Sequence, residues 1–161
     1  MGETSLTAFE RIEVQMRYVV PLLRGLQQEL GEAAVSDALR AVLDRRVAAA
    51  RARAKPKVAI APIAEPLADG FLSFAEGEVL DYELIATDRD ELAIDVSDCG
   101  YARLMNELDA TDLGHLLLCS EDEVLAAVAG VELVRTGTRM QGASRCDFRF
   151  RPAAYAQGET A

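Results

Sequence analysis

Phe9, Ile12, Met16, Val19, Val20, Leu23 and Leu26 recur at helical spacing up to Gly31, which predicts an amphipathic helix with a kink or break at Pro21. A second stripe, Val35, Ala38, Leu39, Val42, Leu43, Val47 and Ala50, predicts another helix running to about Lys55. The two apolar faces can bury against each other or against a sheet, and the pattern does not choose. Pro56, Pro62 and Pro66 then mark a connector with a short strand-like piece at Val58 to Ala61, after which Pro66 can open a short helix ending before Gly77. The period next changes to two. Leu80, Tyr82 and Leu84 alternate with acids, and Leu92, Ile94 and Val96 follow the turn-like Asp88-Arg89-Asp90, so an antiparallel hairpin with one dry face is expected.

Beyond it, Ser97 or Asp98 suits the N-cap of a helix carrying Tyr101, Leu104, Met105 and Leu108, with Cys99 in its first turn. Thr111 can cap a second short helix through Leu118, and Ser120 with Glu123 forms a capping box for a third that stops at Gly130. A closing hairpin is expected from Val131 to Met140 and Cys146 to Arg151. The sum is an α+β fold: an N-terminal helical pair, short helices and an antiparallel sheet of about four strands. With 161 residues and half of them hydrophobic, one domain over residues 1–152 is expected, with a flexible tail at 153–161.

Charge and cysteine usage narrow the function classes. A net charge of -10 argues against a phosphate-backbone partner. The one basic cluster, Arg45 to Lys57, reads as a solvated helix end. No apolar run reaches membrane-spanning length and the first residues lack a basic leader, so a cytoplasmic protein is expected. Cys99, Cys119 and Cys146 are odd in number and widely spaced, which signals neither a disulfide framework nor a zinc finger.

Each cysteine falls at an element junction, and other groups with chemistry lie close in sequence. Cys99 at a helix start is a candidate nucleophile, although Asp95 and Asp98 disfavour a thiolate and a small buried apolar role is the commoner fate of a free cysteine. His115 and Cys119, four apart, face the same side of a continuous helix. On the last strand Cys146, Phe148 and Phe150 alternate with Asp147, Arg149 and Arg151. Arg135 has apolar neighbours on its own face, so it needs a carboxylate. A bound substrate and a structural pair with Asp147 or Asp122 weigh equally, and Asp95–Arg149 is a further structural pair.

Four blocks in order resemble the L-2-amino-thiazoline-4-carboxylic acid hydrolase family. Val20-Pro21-Leu22 is similar to the A-P-L step in its opening helices, and Asp95 to Ala102 to its N-V-T-x-C-x-Y-A. Leu113 to Asp122 is similar to L-G-x-L-L-x-C-x-x-D, and Arg135 to Arg151 to R-T-x-T-x-M-x-G-A-x-x-C-D-F-R-Y-R. The resemblance implies functional weight at Cys99, Tyr101, Cys119, Asp122, Arg135, Thr136, Thr138, Gly142, Cys146, Asp147 and Arg149. Departures stand at Asp95 for Asn, Gly100 for Arg, Glu121 for Arg, Gly137 for Gln and Arg145 for His.

What the resemblance implies is a hydrolase that opens a small carboxylate-bearing cyclic amidine at a C–N bond, by thiol- or carboxylate-assisted addition of water. Cys146 or Cys99 is then the nucleophile, Asp147 or Asp95 the acid/base, and Arg135 or Arg149 the carboxylate clamp, with Thr136, Thr138, Tyr101 and His115 as further substrate contacts. The three cysteines are expected to converge. No cofactor is implied. One alternative is an enzyme of the same fold holding zinc or iron on Cys99, Cys119, Cys146 and Asp122, and another is a non-catalytic small-ligand module. The expected partner is a small molecule, not nucleic acid or membrane, with homo-oligomer formation left open.

Overall fold

The computed structural model describes residues 6–87 and 90–153. Helix α1, Ala8–Leu30, opens with a capping box in which Thr7 accepts from the Glu10 N–H and the Glu10 carboxylate accepts from the Thr7 N–H. Pro21 does not break it. Gly31, at φ +90, ends α1 and starts α2, Glu32–Arg53, a backbone reversal that L side chains rarely tolerate. α1 packs on both α2 and α4, and α2 also packs on α6, so the helical pair is neither a free hairpin nor a layer on the sheet.

The expected strand piece at Val58 to Ala61 is absent. In its place a 3₁₀ turn, Ala61–Ile63, leads into α3, Ala64–Leu72, with Pro66 in the first turn where its missing N–H costs nothing. The sheet has four antiparallel strands in the order β1-β2-β4-β3: β1 is Leu80–Thr87, β2 Leu92–Cys99, β3 Val131–Val134 and β4 Cys146–Pro152. The turn expected at Asp88 to Asp90 lies largely outside the described residues. The expected dry face belongs to β2, which buries Leu92, Ile94 and Val96, whereas Tyr82 and Leu84 on the edge strand β1 stay exposed.

Between the hairpins run α4, Gly100–Glu107, α5, Thr111–Gly114, a turn of π-helix over His115–Cys119, and α6, Glu121–Ala129. Neither expected cap forms. Ala110 precedes α5 in place of Thr111, and the Ser120 hydroxyl donates to the His115 carbonyl instead of capping α6. β3 is also shorter than expected, because after Val134 the chain turns around the Asp147 carboxylate and then enters a 3₁₀ turn at Arg139–Gln141. Gly130, at φ +75, joins α6 to β3 against the Lys55 carbonyl, where a Cβ would collide. Ala153, expected in the tail, is fully buried, its N–H bonded to the Lys57 carbonyl, while 154–161 lie outside the described residues.

Two apolar cores result. Ile60, Ala64, Leu92, Ile94, Val96, Ala126, Val131, Phe148 and Phe150 join α3 and α6 to the sheet. Met16, Val20, Leu104, Met105, Leu113 and Met140 join α1 to α4 and α5. Among the described residues no helix is long and apolar enough to cross a membrane.

Candidate active site

A cavity of about 440 Å³ opens where the two cores meet, and all three cysteines line it together with Tyr101, Asp122, Arg135 and a wall of apolar side chains. Each thiol arrives by a different local device. Cys146 begins β4 on the face shared with Phe148 and Phe150, and its sulfur accepts the Arg139 N–H at 3.1 Å. Cys119 ends the π-turn.

Cys99 needs a bulge. Asp81 pairs with Asp98 but the next β1 residue, Tyr82, pairs with Val96, so Ser97 is an extra residue in β2. Without it, strict alternation would place Cys99 with Asp95 on the opposite face; with it, Cys99 pairs with Leu80 and both line the cavity. Cys99 is thus the last residue of β2 and the N-cap position of α4, one step earlier than the sequence pattern suggests, since Ser97 is drawn to Asp81 and Asp98 to Arg103.

The thiols are not thiolates in this setting. Burial raises Cys99 and Cys146, and pushes Cys119 up to about 12. For Cys99 the Ala102 and Tyr101 N–H groups pull the other way, and for Cys146 the Arg139 N–H and the Arg135 charge do, without cancelling the desolvation. The titratable group tuned toward neutrality is Asp122. Burial lifts its carboxyl to about 6 against the attraction of Arg135, whose Nη1 donates to Asp122 Oδ2 at 2.7 Å. The Arg135 side chain is 8% exposed, donates to the Cys119 carbonyl at 2.9 Å and lies over the Phe148 ring at 5.0 Å. The structural alternative weighed for Arg135, a pair with Asp122, is therefore the contact that forms.

The remaining expected site residues go elsewhere, in two groups. His115, Thr136 and Thr138 line a separate polar cavity of about 290 Å³, with Arg135 as the partition between the two. The π-turn sends His115 and Cys119 to different cavities, against the expectation of a shared face. His115 is lowered by burial and by Arg135, and its Nδ1 is buried with no hydrogen-bond partner among the described residues. Thr138 caps the 3₁₀ turn by accepting the Gln141 N–H.

Asp147, Asp95 and Arg149 occupy the opposite face of the sheet. Asp147 accepts from the N–H and hydroxyl of Thr136 and from the Gly137 N–H. Burial alone would raise its carboxyl, but these donors outweigh it and hold it at about 2. Asp95 lies 2.8 Å from Arg149 and 3.1 Å from Arg145. The Arg149 contact is an ion pair without hydrogen-bond alignment, for the Asp95 Oδ1 has no aligned donor and Arg149 Nη1 points to the Ile94 and Phe148 carbonyls. The acid/base roles expected of Asp147 and Asp95, and the clamp expected of Arg149, thus fall on residues turned away from the thiols.

Tyr101 does reach the cavity, its hydroxyl donating to the Phe74 carbonyl at 3.0 Å and its ring edge-on to Phe9. Burial, with the Cys99 sulfur next, pushes its phenol up to about 12. Although Cys99, Cys119, Cys146 and Asp122 share a cavity, no group of three His, Cys, Asp or Glu side chains among the described residues is placed to hold one metal ion. The metal alternative therefore has no ligand set among the described residues.

Some contributors had no such role in the sequence reading. Asp122 carried functional weight through the resemblance but was otherwise weighed as a metal ligand or pairing partner, and Phe71 and Phe74, which also line the cavity, had no polar signal at all. Arg46, read as part of a solvated helix end, lines the cavity and pairs with Glu121 on α6. Its four-residue register with the stripe residue Val42 was the available hint.

The sequence model of the L-2-amino-thiazoline-4-carboxylic acid hydrolase family matches residues 11–150. The chain belongs to this family. No curated protein matches it. Set in the structure, two of its departures from the hydrolase family's motifs compensate each other: Asp95, where Asn is expected, pairs with Arg145, where His is expected. A third, Glu121, where Arg is expected, pairs with Arg46. At Gly100 an added Cβ would lie 2.8 Å from Val79 Cγ1, so the arginine frequent there in the hydrolases has no room beside this valine.

Proposed function

We propose that the chain is a hydrolase of the aminothiazoline-carboxylate type whose reaction takes place in the three-cysteine cavity, with Asp122 as the acid/base. The observation that supports it is one apolar cavity holding a carboxyl raised to about 6 beside a buried guanidinium. At neutral pH Asp122 is mostly ionised and can take a proton from water as the oxygen adds to the amidine carbon. That proton passes to the ring nitrogen, leaving a tetrahedral carbon that bears a hydroxyl.

Collapse of this adduct breaks one ring bond. In a thiazoline the sulfur leaves more readily than the nitrogen, because a thiol has a pKa of about 8.5 and an alkylamine about 10.4. The bond that opens is then C–S rather than the C–N bond expected from the resemblance: the hydroxyl proton goes through Asp122 to the sulfur, giving a carbamoyl amine and a free thiol. In a ring without sulfur, C–N opens by the same route.

Arg135 orients Asp122, and the substrate carboxylate falls to Arg46 at the cavity rim, which can exchange Glu121 for it. The raised thiols act as neutral lining, with Cys146, beside Arg135 and the Arg139 N–H, the one best placed to stabilise developing negative charge. Incubation with 2-aminothiazoline-4-carboxylate and a thiol-reactive chromogen tests the proposal. Stoichiometric thiol release is expected, amine release without thiol would restore the C–N bond, and no product of either kind would reject the hydrolase reading.

A further inference from the structure

A second cavity, of about 380 Å³, adjoins the first. It lies between α3 and α6 over Phe150, and Phe71, Phe74, Asp122 and Leu125 line both spaces, so the two compartments share a boundary. Apart from Asp122 at this boundary and Lys57 at the other end, the second compartment is walled by apolar groups such as Ile63, Leu67 and Ala129.

The walls leave the space open where they could close it. Gly70 sits within α3, outside the left-handed region, and a Cβ added to it would meet nothing within 4 Å. Neither backbone conformation nor packing calls for glycine there, and glycine weakens a helix relative to alanine. Ala129 on the facing helix is also small. The Lys57 backbone is fixed at both ends, its N–H to Gly130 and its carbonyl to the Ala153 N–H. Lys57 therefore lines this space from a backbone held on both sides.

We propose that this compartment is the second half of the binding site and takes an apolar alkyl or aryl substituent carried by the reacting ring. The substrate is then an apolar-substituted ring acid rather than the bare five-membered ring. Either compartment alone falls within the range of sites for small organic ligands, about 300 to 1,000 Å³, and together they exceed what a single ring with a carboxylate fills. The proposal rests on the preceding one for where the ring lies, but not for whether the apolar arm binds.

Calorimetric titration with benzoate and 4-butylbenzoate, which cannot be hydrolysed, tests it without turnover. Burial is worth about a fourfold gain in affinity per methylene, so 4-butylbenzoate should bind at least about tenfold tighter than benzoate. Ala129→Phe, which fills the compartment from α6, should remove that gain while leaving benzoate affinity unchanged. Gly70→Phe does the same from α3 and has open space for its side chain, so it serves if Ala129→Phe fails to fold. Equal affinity for both acids, or a gain that survives in a folded filled variant, overturns the proposal. Turnover of bare rings with no filling-sensitive gain would leave the hydrolase and remove the compartment's role. A filling-sensitive gain without any ring opening would do the reverse.

Discussion

Alternate residues of a single strand, β4, serve two environments. Cys146 and Phe148 face a cavity of largely apolar walls in which Asp122 has one charged partner, Arg135; Asp147 and Arg149 face a surface where each charge meets several partners. The same functional group takes opposite characters on the two sides. Asp122 is lifted to about 6 and Asp147 held at about 2. A carboxylate saturated with donors is a structural brace, whereas one short of solvent and donors keeps a proton within reach of neutral pH, and only the second can exchange it during a reaction. The resemblance offered Asp147 or Asp95 as the acid/base. Strand alternation turns both away from the thiols, and the proposed role passes to Asp122, from another element.

The largest effect that can break this contrast is on turnover. Asp122→Asn should lower kcat per folded molecule by about a hundredfold to ten-thousandfold and abolish the fall in wild-type kcat/KM below about pH 6. Asp147→Asn should leave kcat per folded molecule within a few fold. Equal losses from both substitutions would erase the distinction between the two faces.

Next comes the ion pair between the two cavities. Arg135→Ala leaves the Asp122 carboxyl buried without its partner and should cost about 3 kcal/mol in chemical denaturation, at the lower end for a broken buried pair because Asp122 can take up a proton. The loss should shrink as pH falls below about 6. A loss of a few tenths would show that Arg135 is spare for the substrate after all.

Asp147→Ala should cost about 1 to 3 kcal/mol, since the Thr136 and Gly137 N–H groups that shape the turn lose their acceptor. The pH dependence separates the two acids by sign. Asp147 is depressed in the folded state, so its stabilisation is present above about pH 4, the unfolded value, and is lost as pH falls through about 2. Asp122 is raised, so its contribution is fully present below about pH 4 and is lost as pH rises through about 6. Melting curves of Asp147→Ala and Asp122→Asn between pH 2 and 7 should each lack the corresponding limb.

The smallest expected change is Cys119→Ala, at less than about tenfold in turnover, because burial pushes its thiol up to about 12, far from ionisation. A hundredfold loss would return a thiolate to the mechanism.

These contrasts also mark what the chain made legible. Alternation along β2 and β4 was strong enough to read the sheet, and the stripes of α1 and α2 to read the helical pair. Convergence of the three cysteines followed from their places at element ends, and they do line one cavity. The bulge at Ser97 and the π-turn at His115 to Cys119 left no such trace, since each adds one residue to a local count through hydrogen bonds formed only on folding. Both change which way a reactive side chain points. The truncated β3 is similar: Thr136 and Thr138 alternate well enough for a strand, but Asp147 offers the backbone a better acceptor than a strand partner would. An acid/base role for Asp122 was not legible, because its setting is made by distant residues, Phe71, Phe74 and Arg135, which no spacing rule connects.

The central claim is that Asp122, of all the carboxyls near the thiols, is the one that exchanges a proton near neutrality. Its most direct test is an NMR titration of the side-chain carboxyl carbons in uniformly labelled protein, with Asp122→Asn identifying the resonance. A midpoint near 6 for Asp122, with the Asp147 signal unmoved down to about pH 3, is the predicted result. A midpoint for Asp122 at or below about 4 would contradict the account.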